Sequence, residues 1–348
     1  MRVSTARALL LCGALGPASA GAQGKRACTL GAWEPMQHLT TMDHRPVYIE
    51  TPSWSTTPSG TAVIGFPTYV WQTNRVFAMS GDDQLKRAVE ERSAGVFMRR
   101  DGRIKPIHLP LGVDDPAAMH AVDSGTGTID VLWGTVPDSS FVGAGLAARR
   151  IMEAQTDGDA WSHPSPVIEL ERIFWNNTQP AVIGTRSGIE VAVPAYGREH
   201  DVWHSGIVML VRGKQGWSHS WIETGLPPGY VALSVDSHNA GILAFIGGTA
   251  SPKEPMPYGI YAARRRGDEL SWDAPRSVLT LGARGLAGPP VLLRARNGTV
   301  HLVWADQPVA AREGPASIHH MISADAGTSW SPLPDLHCRR RSMSCVPS

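Results

Sequence analysis

The sequence predicts an all-β protein that is built from a repeated unit of four strands. Short runs that alternate apolar with polar residues begin at Gly95, Gly145, Gly206, Gly259 and Ser317. Their spacing of roughly 50 to 60 residues is that of a structural repeat with loops of variable length. The high counts of turn formers and aromatics, Gly 36, Pro 27 and Trp 12, favour many short strands. No segment keeps a helical periodicity over several turns.

Each repeat has the parts of a four-stranded sheet. Two strand-like runs precede each of the last four alternating runs, and the turns between them carry hairpin residues, as in Asp123-Ser124-Gly125 and Asn297-Gly298. A polar turn, often with a Trp, and a short fourth run such as 163–169 or 331–336 follow. Four strands per unit are typical of propeller blades, which bury their faces by stacking on one another. The sequence therefore predicts a β-propeller.

The number of blades depends on the N-terminal part of the chain. Five repeats predict five blades between residues 46 and 336. The segment 33–40 resembles a fourth strand that has no unit of its own. It either overlays the last blade as a closure strand or belongs to a degenerate sixth blade. We predict five blades, with six as the alternative, and a C-terminal tail at 337–348.

The first 22 residues have the build of a secretory signal peptide. Arg2 and Arg7 supply positive charge, residues 8–15 form a short apolar run, and Ala18-Ser19-Ala20 offers a small-residue cleavage site. Neither this run nor any later one is long enough to span a bilayer. We expect an exported protein, periplasmic, secreted or at the cell surface, in which residues 23–45 form an N-terminal segment before the propeller.

The charge balance bears on the class of partner. Lys+Arg 32 and Asp+Glu 31 nearly cancel, which gives no electrostatic reason to expect nucleic acid or an anionic membrane as partner. The sequence has no P-loop, no dinucleotide-binding glycine pattern and no cysteine-based zinc motif. We expect a monomer with no cofactor and no metal.

Three cysteines remain after removal of a signal peptide, Cys28, Cys338 and Cys345, and they lie at the two ends of the chain. An exported protein can keep a disulfide. A bond from Cys28 to Cys338 or Cys345 would join the first and last parts of a propeller. A local bond between Cys338 and Cys345 would leave Cys28 unpaired. The odd count leaves one thiol without an intramolecular partner in either case.

One motif identifies a family resemblance. The stretch Ser323-Ala-Asp325-Ala-Gly327-Thr-Ser329-Trp330 resembles the Asp box, Ser-x-Asp-x-Gly-x-Thr-Trp, of sialidases and other bacterial-neuraminidase-repeat (BNR) proteins, with Ser329 in place of Thr. Asp accepts backbone N–H groups in such a turn, Gly permits positive φ, and Trp packs between sheets.

Weaker forms of the motif lie at the same place in other repeats, where the tryptophans Trp161, Trp217 or Trp221, and Trp272 keep the period. The resemblance spans about residues 45–336 and implies a sialidase-like propeller. It also implies that the Asp box lies on the outer rim, away from the central funnel, and has a structural role.

The same resemblance supplies an expectation for an active site that the sequence meets only in part. Sialidases hold the substrate carboxylate with three arginines and use an Asp as acid/base and a Tyr activated by Glu as nucleophile. Asp43-His44-Arg45-Pro46 stands where the first of these arginines is expected, but it lacks one residue of the usual Arg-Ile-Pro motif. Arg45 and Asp43 are therefore candidate ligand-binding residues. No Tyr follows Tyr261, so the catalytic residues stay unassigned.

A second candidate site lies between the second and third strands of the third repeat. Arg198, Glu199, Asp201 and Trp203 combine cation, acid and aromatic within one short segment. Trp203 would stack on a sugar ring while the charged groups bond hydroxyls. The alternative interpretation is an ordinary solvated hairpin.

Three functions follow from these features. The first is a propeller that binds carbohydrate or another component of the cell envelope at its central funnel without catalysis. The second is a glycoside hydrolase of the exo-sialidase type with a divergent active site. The third is a scaffold for protein interaction.

Overall fold

A computed structural model describes the chain from residue 47 to residue 347 with gaps. The described residues are 47–49, 53–56, 62–71, 89–100, 103–107, 115–124, 128–136, 148–157, 160–175, 180–185, 188–225, 228–236, 238–248, 258–267, 271–281, 284–286, 289–308, 317–333, 336–339 and 344–347. All of them belong to the second of two compact units, Leu39–Ser348. Asp43, Arg45, Cys28, the predicted signal peptide and the segment 33–40 lie outside the described residues.

The described residues form strands and turns and contain no helix, which confirms the all-β prediction. The strands fall into five consecutive antiparallel units. The first unit comprises β1 (Val47–Ile49), β2 (Ser53–Thr56), β3 (Ala62–Trp71), β4 (Val89–Arg100) and β5 (Arg103–Ile107). The second comprises β6 (Asp115–Asp123), β7 (Ile129–Val136), β8 (Ala148–Thr156) and β9 (Ser165–Ile173).

The later units follow along the chain, and the second and third share one eight-stranded sheet because β11 also pairs with β9. The third unit comprises β10 (Ala181–Thr185), β11 (Gly188–Glu199), β12 (Val202–Gly213) and β13 (Gly216–Glu223). The fourth comprises β14 (Val231–Val235), β15 (Gly241–Gly247), β16 (Gly259–Arg265) and β17 (Arg276–Thr280). The fifth comprises β18 (Arg284–Leu286), β19 (Val291–Arg294), β20 (Val300–Pro308), β21 (Ser317–Ser323), β22 (Ser331–Pro332), β23 (Leu336–Arg339) and β24 (Ser344–Pro347). The total number of blades remains a prediction, since no strand pairing joins the fifth described unit to the first.

Apolar clusters fill the space between successive units, so each sheet buries its faces on its neighbours. Leu132 and Ile151 of the second unit pack with Val191 and Leu210 of the third. A further cluster joins the third unit to the fourth, and another joins the fourth to the fifth. Trp175, which follows β9, is fully buried in the first of these clusters.

A tryptophan stands opposite the end of the third strand in the units that follow the first. Thr156 faces Trp161, and Arg212 faces Trp217. Trp272 lies in the matching turn of the fourth unit, with the Arg265 guanidinium 5.3 Å from its ring. The register therefore selects Trp217, rather than Trp221, as the tryptophan that keeps the period.

The 323–330 turn, whose sequence resembles the Asp box, is held by its own side chains. Asp325 Oδ1 accepts hydrogen bonds from the backbone N–H groups of Thr328 and Ser329, at 3.0 and 2.9 Å. The Ser329 hydroxyl donates to Asp325 Oδ2 at 2.6 Å, and Gly327 N donates to the Ser323 hydroxyl at 2.7 Å. The Ser329 hydrogen bonds, first among these contacts, hold the pKa of Asp325 well below its usual value. Gly327 has a φ of 85°, as the turn requires.

The C-terminal hairpin brings two cysteines together along the backbone. Strands β23 and β24 pair so that Cys338 stands directly opposite Cys345. Directly opposed residues of an antiparallel pair have Cα atoms about 4.5 to 5.5 Å apart, which is within the range that a disulfide spans. On this backbone register we propose the local pairing of Cys338 with Cys345.

We expect peptide mapping of the non-reduced protein to recover Cys338 and Cys345 in one disulfide and Cys28 as a free thiol. The closed loop is short, so Cys345→Ser should lower the free energy of unfolding only modestly, by about 2–3 kcal/mol in the chain-entropy estimate. Cys28→Ser serves as the control and should leave both the map and the stability unchanged. A peptide that joins Cys28 to either C-terminal cysteine would contradict this pairing.

Candidate functional site

The third unit carries a long hairpin that leaves its own sheet. Strands β11 and β12 pair along their whole length, from Ile189–Arg212 to Glu199–Val202. The first half of β11 also pairs with β10 of its own unit. Further along, Ala195 and Tyr196 instead pair with β9 of the second unit. The far half of the hairpin, residues 195–206, therefore extends the sheet of the neighbouring unit and covers the edge of β9, which would otherwise be open.

The far half of the hairpin folds back toward the strand it has left. Glu199 Oε1 lies 2.7 Å from His219 Nε2, although His219 stands opposite Leu210 in the β12–β13 pairing. Along a straight strand, Leu210 would be about 26 Å from Val202, the residue paired with Glu199. On the same face, the His204 ring stacks on Trp221 at 5.1 Å, and its Nδ1 lies 2.6 Å from Glu223 Oε1.

A close contact at Gly197 fixes the hairpin on β9. Glu171 Oε2 accepts a hydrogen bond from the backbone N–H of Arg198 at 2.7 Å. A Cβ atom at position 197 would lie only 2.7 Å from that same oxygen. Because glycine has no Cβ, the Glu171 carboxylate can reach the hairpin backbone. This contact holds the hairpin against β9.

One face of the hairpin gathers aromatic and cationic side chains. Directly opposed residues of an antiparallel pair share a face, and alternate residues of a strand do as well. The pairs Arg172–Tyr196 and Arg198–Trp203 therefore lie on the same face. Trp203 is 63% exposed and Arg198 is 53% exposed, so this face is turned to solvent. We call Arg172, Phe174, Tyr196, Arg198 and Trp203 the aromatic platform.

The members of the aromatic platform contact one another. The Tyr196 ring lies 6.2 Å from the rings of both Phe174 and Trp203. The Arg172 guanidinium lies 5.2 Å from the centre of the Phe174 ring, and its NH1 is 3.5 Å from the Tyr196 hydroxyl. Two aromatic rings and one guanidinium thus hold the residues around Trp203 in place, while Trp203 itself remains open to solvent.

The four residues proposed in this segment from the sequence separate into two groups. Arg198 and Trp203 belong to the aromatic platform, and Asp201 pairs with Arg198 at 3.3 Å beside it. Glu199 lies on the other face and contacts His219. The turn between the strands is tight, with positive φ at His200 and Asp201, so the segment is a hairpin tip rather than a loop. Sequence reasoning missed Arg172 and Phe174, because the pairing that brings them here joins two different repeats.

A second group of charged side chains lies between the second and third units. Arg212 NH1 pairs with Asp130 Oδ1 and lies 2.9 Å from Glu153 Oε1. Gln155 Nε2 donates to Asp130 at 2.8 Å, and Trp217 Nε1 donates to Glu153 Oε2 at 2.9 Å. Asp130 is fully buried and Glu153 is 5% exposed, so a glycosidic bond does not reach either carboxylate in this conformation. Burial and the neighbouring Asp130 raise the pKa of Glu153 to about 7.

Similar ion pairs recur between the next units, always in the same direction. Glu190 of the third unit pairs with Arg265 of the fourth at 2.7 Å, and both side chains are buried. Asp236, in the turn after β14, pairs with Arg294 of the fifth unit at 2.6 Å. In each described interface from the second unit onward, the carboxylate belongs to the earlier unit and the guanidinium to the later one. Asp130 and Glu190 hold equivalent positions, because each is the second residue to pair with the following strand of its unit, opposite Gln155 and Val211.

The fourth and fifth units have no carboxylate at the position of Asp130 and Glu190. Ile242 occupies it in the fourth unit. In the fifth unit it is occupied by His301, whose Nδ1 lies 2.9 Å from His320 Nε2. Burial and the neighbouring His301 lower the pKa of His320, which favours neutral imidazole.

The late tyrosine of the sequence is inaccessible. Tyr261 is 5% exposed and stacks on Phe245 at 5.7 Å. Burial raises the pKa of its hydroxyl, which disfavours the phenolate. The described residues thus do not supply Tyr261 as an exposed nucleophile.

The described part of the chain holds no group of three or more His, Cys, Asp or Glu residues arranged to bind a metal ion. Nor does it contain a helix long and apolar enough to cross a membrane.

Comparison with known proteins identifies the fold. The sequence matches no protein family and no curated protein. A structure of unknown function from Dyadobacter fermentans is similar with a TM-score of 0.52 at 16% identity, over 84% of this chain and 83% of the other. A mutant of the NanB sialidase of Streptococcus pneumoniae gives 0.52 at 9% identity, over 83% of this chain and 61% of the other. An ulvan lyase of polysaccharide lyase family PL25 gives 0.51 at 11% identity, over 82% and 69%. The chain has the β-propeller fold of sialidase-like proteins, as the sequence predicted.

The buried pair between the third and fourth units allows a stability test. Arg265→Met should lower the free energy of unfolding by about 3–5 kcal/mol, because Glu190 would be left buried without its counter-ion. Adding Glu190→Met should recover most of that loss, since two apolar side chains can replace a buried ion pair. Urea unfolding of the two single variants and the double variant measures the difference. Additive losses in the double variant would show that the pair is not coupled.

The raised pKa of Glu153 predicts a dependence of stability on pH. In the unfolded chain this carboxyl loses its proton near its usual pKa of 4.5, and in the folded protein near 7. The wild-type protein should therefore lose stability as the pH rises from about 4.5 to 7, since the unfolded state releases its proton first. Glu153→Gln keeps the shape without the charge and should flatten this part of the profile. Chemical unfolding at half-unit pH steps compares the two, and parallel profiles would contradict the assignment.

Proposed function

With a sialidase-like β-propeller fold as the premise, we propose that this protein binds carbohydrate without catalysis, through the aromatic platform. The observation that carries the proposal is Trp203, an exposed tryptophan on a hairpin that is fixed by pairing with two different units. A large apolar side chain that is held open to solvent beside cations and a hydroxyl is typical of a binding surface.

The platform has the chemistry that a sugar ring requires. An indole ring offers a flat apolar face against which the C–H face of a pyranose packs, and neighbouring polar groups bond its hydroxyls. Arg198 and Asp201 supply donors and acceptors beside Trp203, and Arg172 and the Tyr196 hydroxyl supply further ones on the neighbouring strands. The two guanidinium groups favour sugars that carry a carboxylate or a sulfate.

The similar structures support a carbohydrate ligand. Two of the three are by name a sialidase and a polysaccharide lyase. Both names describe enzymes that act on saccharides. We place the binding site at the hairpin, whereas the sequence favoured the central funnel. It also retains the prediction that the protein is exported and meets a glycan of the cell envelope.

Catalysis is the second candidate, and the burial of three groups that it could use counts against it. A retaining glycosidase needs two accessible carboxyl groups about 5 Å apart, and a sialidase needs an accessible Tyr next to Glu. The close carboxyl pair Asp130 and Glu153 is buried, and Tyr261 is buried as well. For these reasons we place binding ahead of hydrolysis.

The test is a comparison of glycan binding by the wild-type protein, Trp203→Ala and Val202→Ala. Trp203→Ala should weaken binding by about thirtyfold, which corresponds to the loss of a typical aromatic anchor worth about 2 kcal/mol. Val202 is 55% exposed on the opposite face of the same hairpin and serves as the matched control, with unchanged affinity expected. Both side chains are exposed, so both variants should melt with the wild type.

The measurement begins with an array of neutral and acidic glycans and continues with titration calorimetry on the best ligand. Equal affinity of wild type and Trp203→Ala for that ligand would contradict the platform. A panel of chromogenic glycosides is assayed in parallel, and turnover by the wild-type protein would show that the non-catalytic part of the proposal is wrong.

A further inference from the structure

A cleft lies between strands β16 and β17 of the fourth unit and the 323–330 turn of the fifth. The aromatic platform belongs to the second and third units. The volume of the cleft is about 150 Å³. Its lining includes Arg264, Arg266, Arg276, Asp273, Thr328 and Trp330. Three guanidinium groups around one small cleft need an explanation, since like charges gathered at one place repel one another.

The strand register places the cations on a single face. Ala262 of β16 stands opposite Arg276 of β17, so these two side chains share a face. Arg264 is two residues from Ala262 and lies on that face as well. Its NH1 donates a hydrogen bond to the Thr328 hydroxyl of the fifth unit. The face that carries the arginines is therefore the one that adjoins the 323–330 turn.

The charges in the cleft are not balanced by its own residues. Asp273 is the one carboxylate in the lining, against three guanidinium groups. Asp325 lies in the adjoining turn, but its oxygens accept hydrogen bonds from Ser323, Thr328 and Ser329. Within the described part of the chain, no hydrogen bond or ion pair holds Arg266 or Arg276. The guanidinium groups of Arg266 and Arg276 are thus available to bind an external partner.

We propose that this cleft binds a small oxyanion, the sulfate or carboxylate group of an acidic saccharide. Guanidinium groups bind such oxyanions through paired N–H donors. A cleft of about 150 Å³ is smaller than the usual ligand pocket of roughly 300 Å³ or more, so it admits one such group and not several sugar rings. The Trp330 ring at the wall supplies an apolar surface for the carbon that bears the group. The proposal does not depend on the function of the aromatic platform.

The experiment measures the binding of two probes, inorganic sulfate and glucuronate, by titration calorimetry at constant ionic strength with chloride as the background anion. The wild-type protein is compared with the double variant Arg266→Gln, Arg276→Gln. We expect the double variant to bind the anion at least about tenfold more weakly, because it loses two sets of charge-assisted hydrogen bonds. A preference for sulfate or for glucuronate in the wild type identifies which group the cleft selects.

Arg296→Gln is the matched control, since Arg296 is an exposed arginine in a turn of the fifth unit that is not part of the lining. It should bind both anions as the wild type does, and all variants should retain the wild-type melting temperature in chloride. The proposal is overturned if the wild type binds neither anion, or if the double variant binds them as tightly as Arg296→Gln. Trp203→Ala should leave anion binding unchanged, which separates this site from the platform.

Discussion

The structure depends on the contact that the end of each third strand makes with the sheet before it. At this point Arg212 meets Asp130, and Arg265 meets Glu190. In the last described unit the contact is apolar, because Gly327 of the 323–330 turn packs on Ile242. A tryptophan stands beside each of these contacts and joins the apolar cluster between the sheets. Apolar burial supplies most of the stability of these interfaces. A neighbouring sheet without the matching charge would leave a buried charge unpaired, which costs free energy.

The 323–330 turn satisfies its own backbone. A tight turn leaves backbone N–H groups that need partners. In the fifth unit, Asp325 and Ser323 accept those hydrogen bonds within the turn. At the matching strand ends of the third and fourth units stand Arg212 and Arg265, whose guanidinium groups pair with a carboxylate of the preceding unit.

Most of the fold was predictable because its signals are local. The alternating runs that begin at Gly206 and Gly259 lie in the strands β12 and β16, and Asn297-Gly298 lies in the turn between β19 and β20 as expected. The candidate site was predictable only in part. Arg198 and Trp203 are neighbours through a short hairpin, whereas Arg172 and Phe174 reach them through a pairing between separate repeats. The strand period also placed Glu199 on the other face, which composition alone did not reveal.

The fixed direction of the ion pairs makes the repeats unequal as building blocks. A unit with a carboxylate on its forward face and a guanidinium on its rear face, such as the third, matches another copy of itself on both sides. Tandem duplication of such a unit would therefore meet no charge conflict at either new junction. The fifth unit has Ser323 and His301 at the two positions that hold the guanidinium and the carboxylate in the third, so two copies of it would not form this ion pair. The ion pairs thus suit a duplicate of the third unit, whereas a duplicate of the fourth would set Arg265 against Ile242.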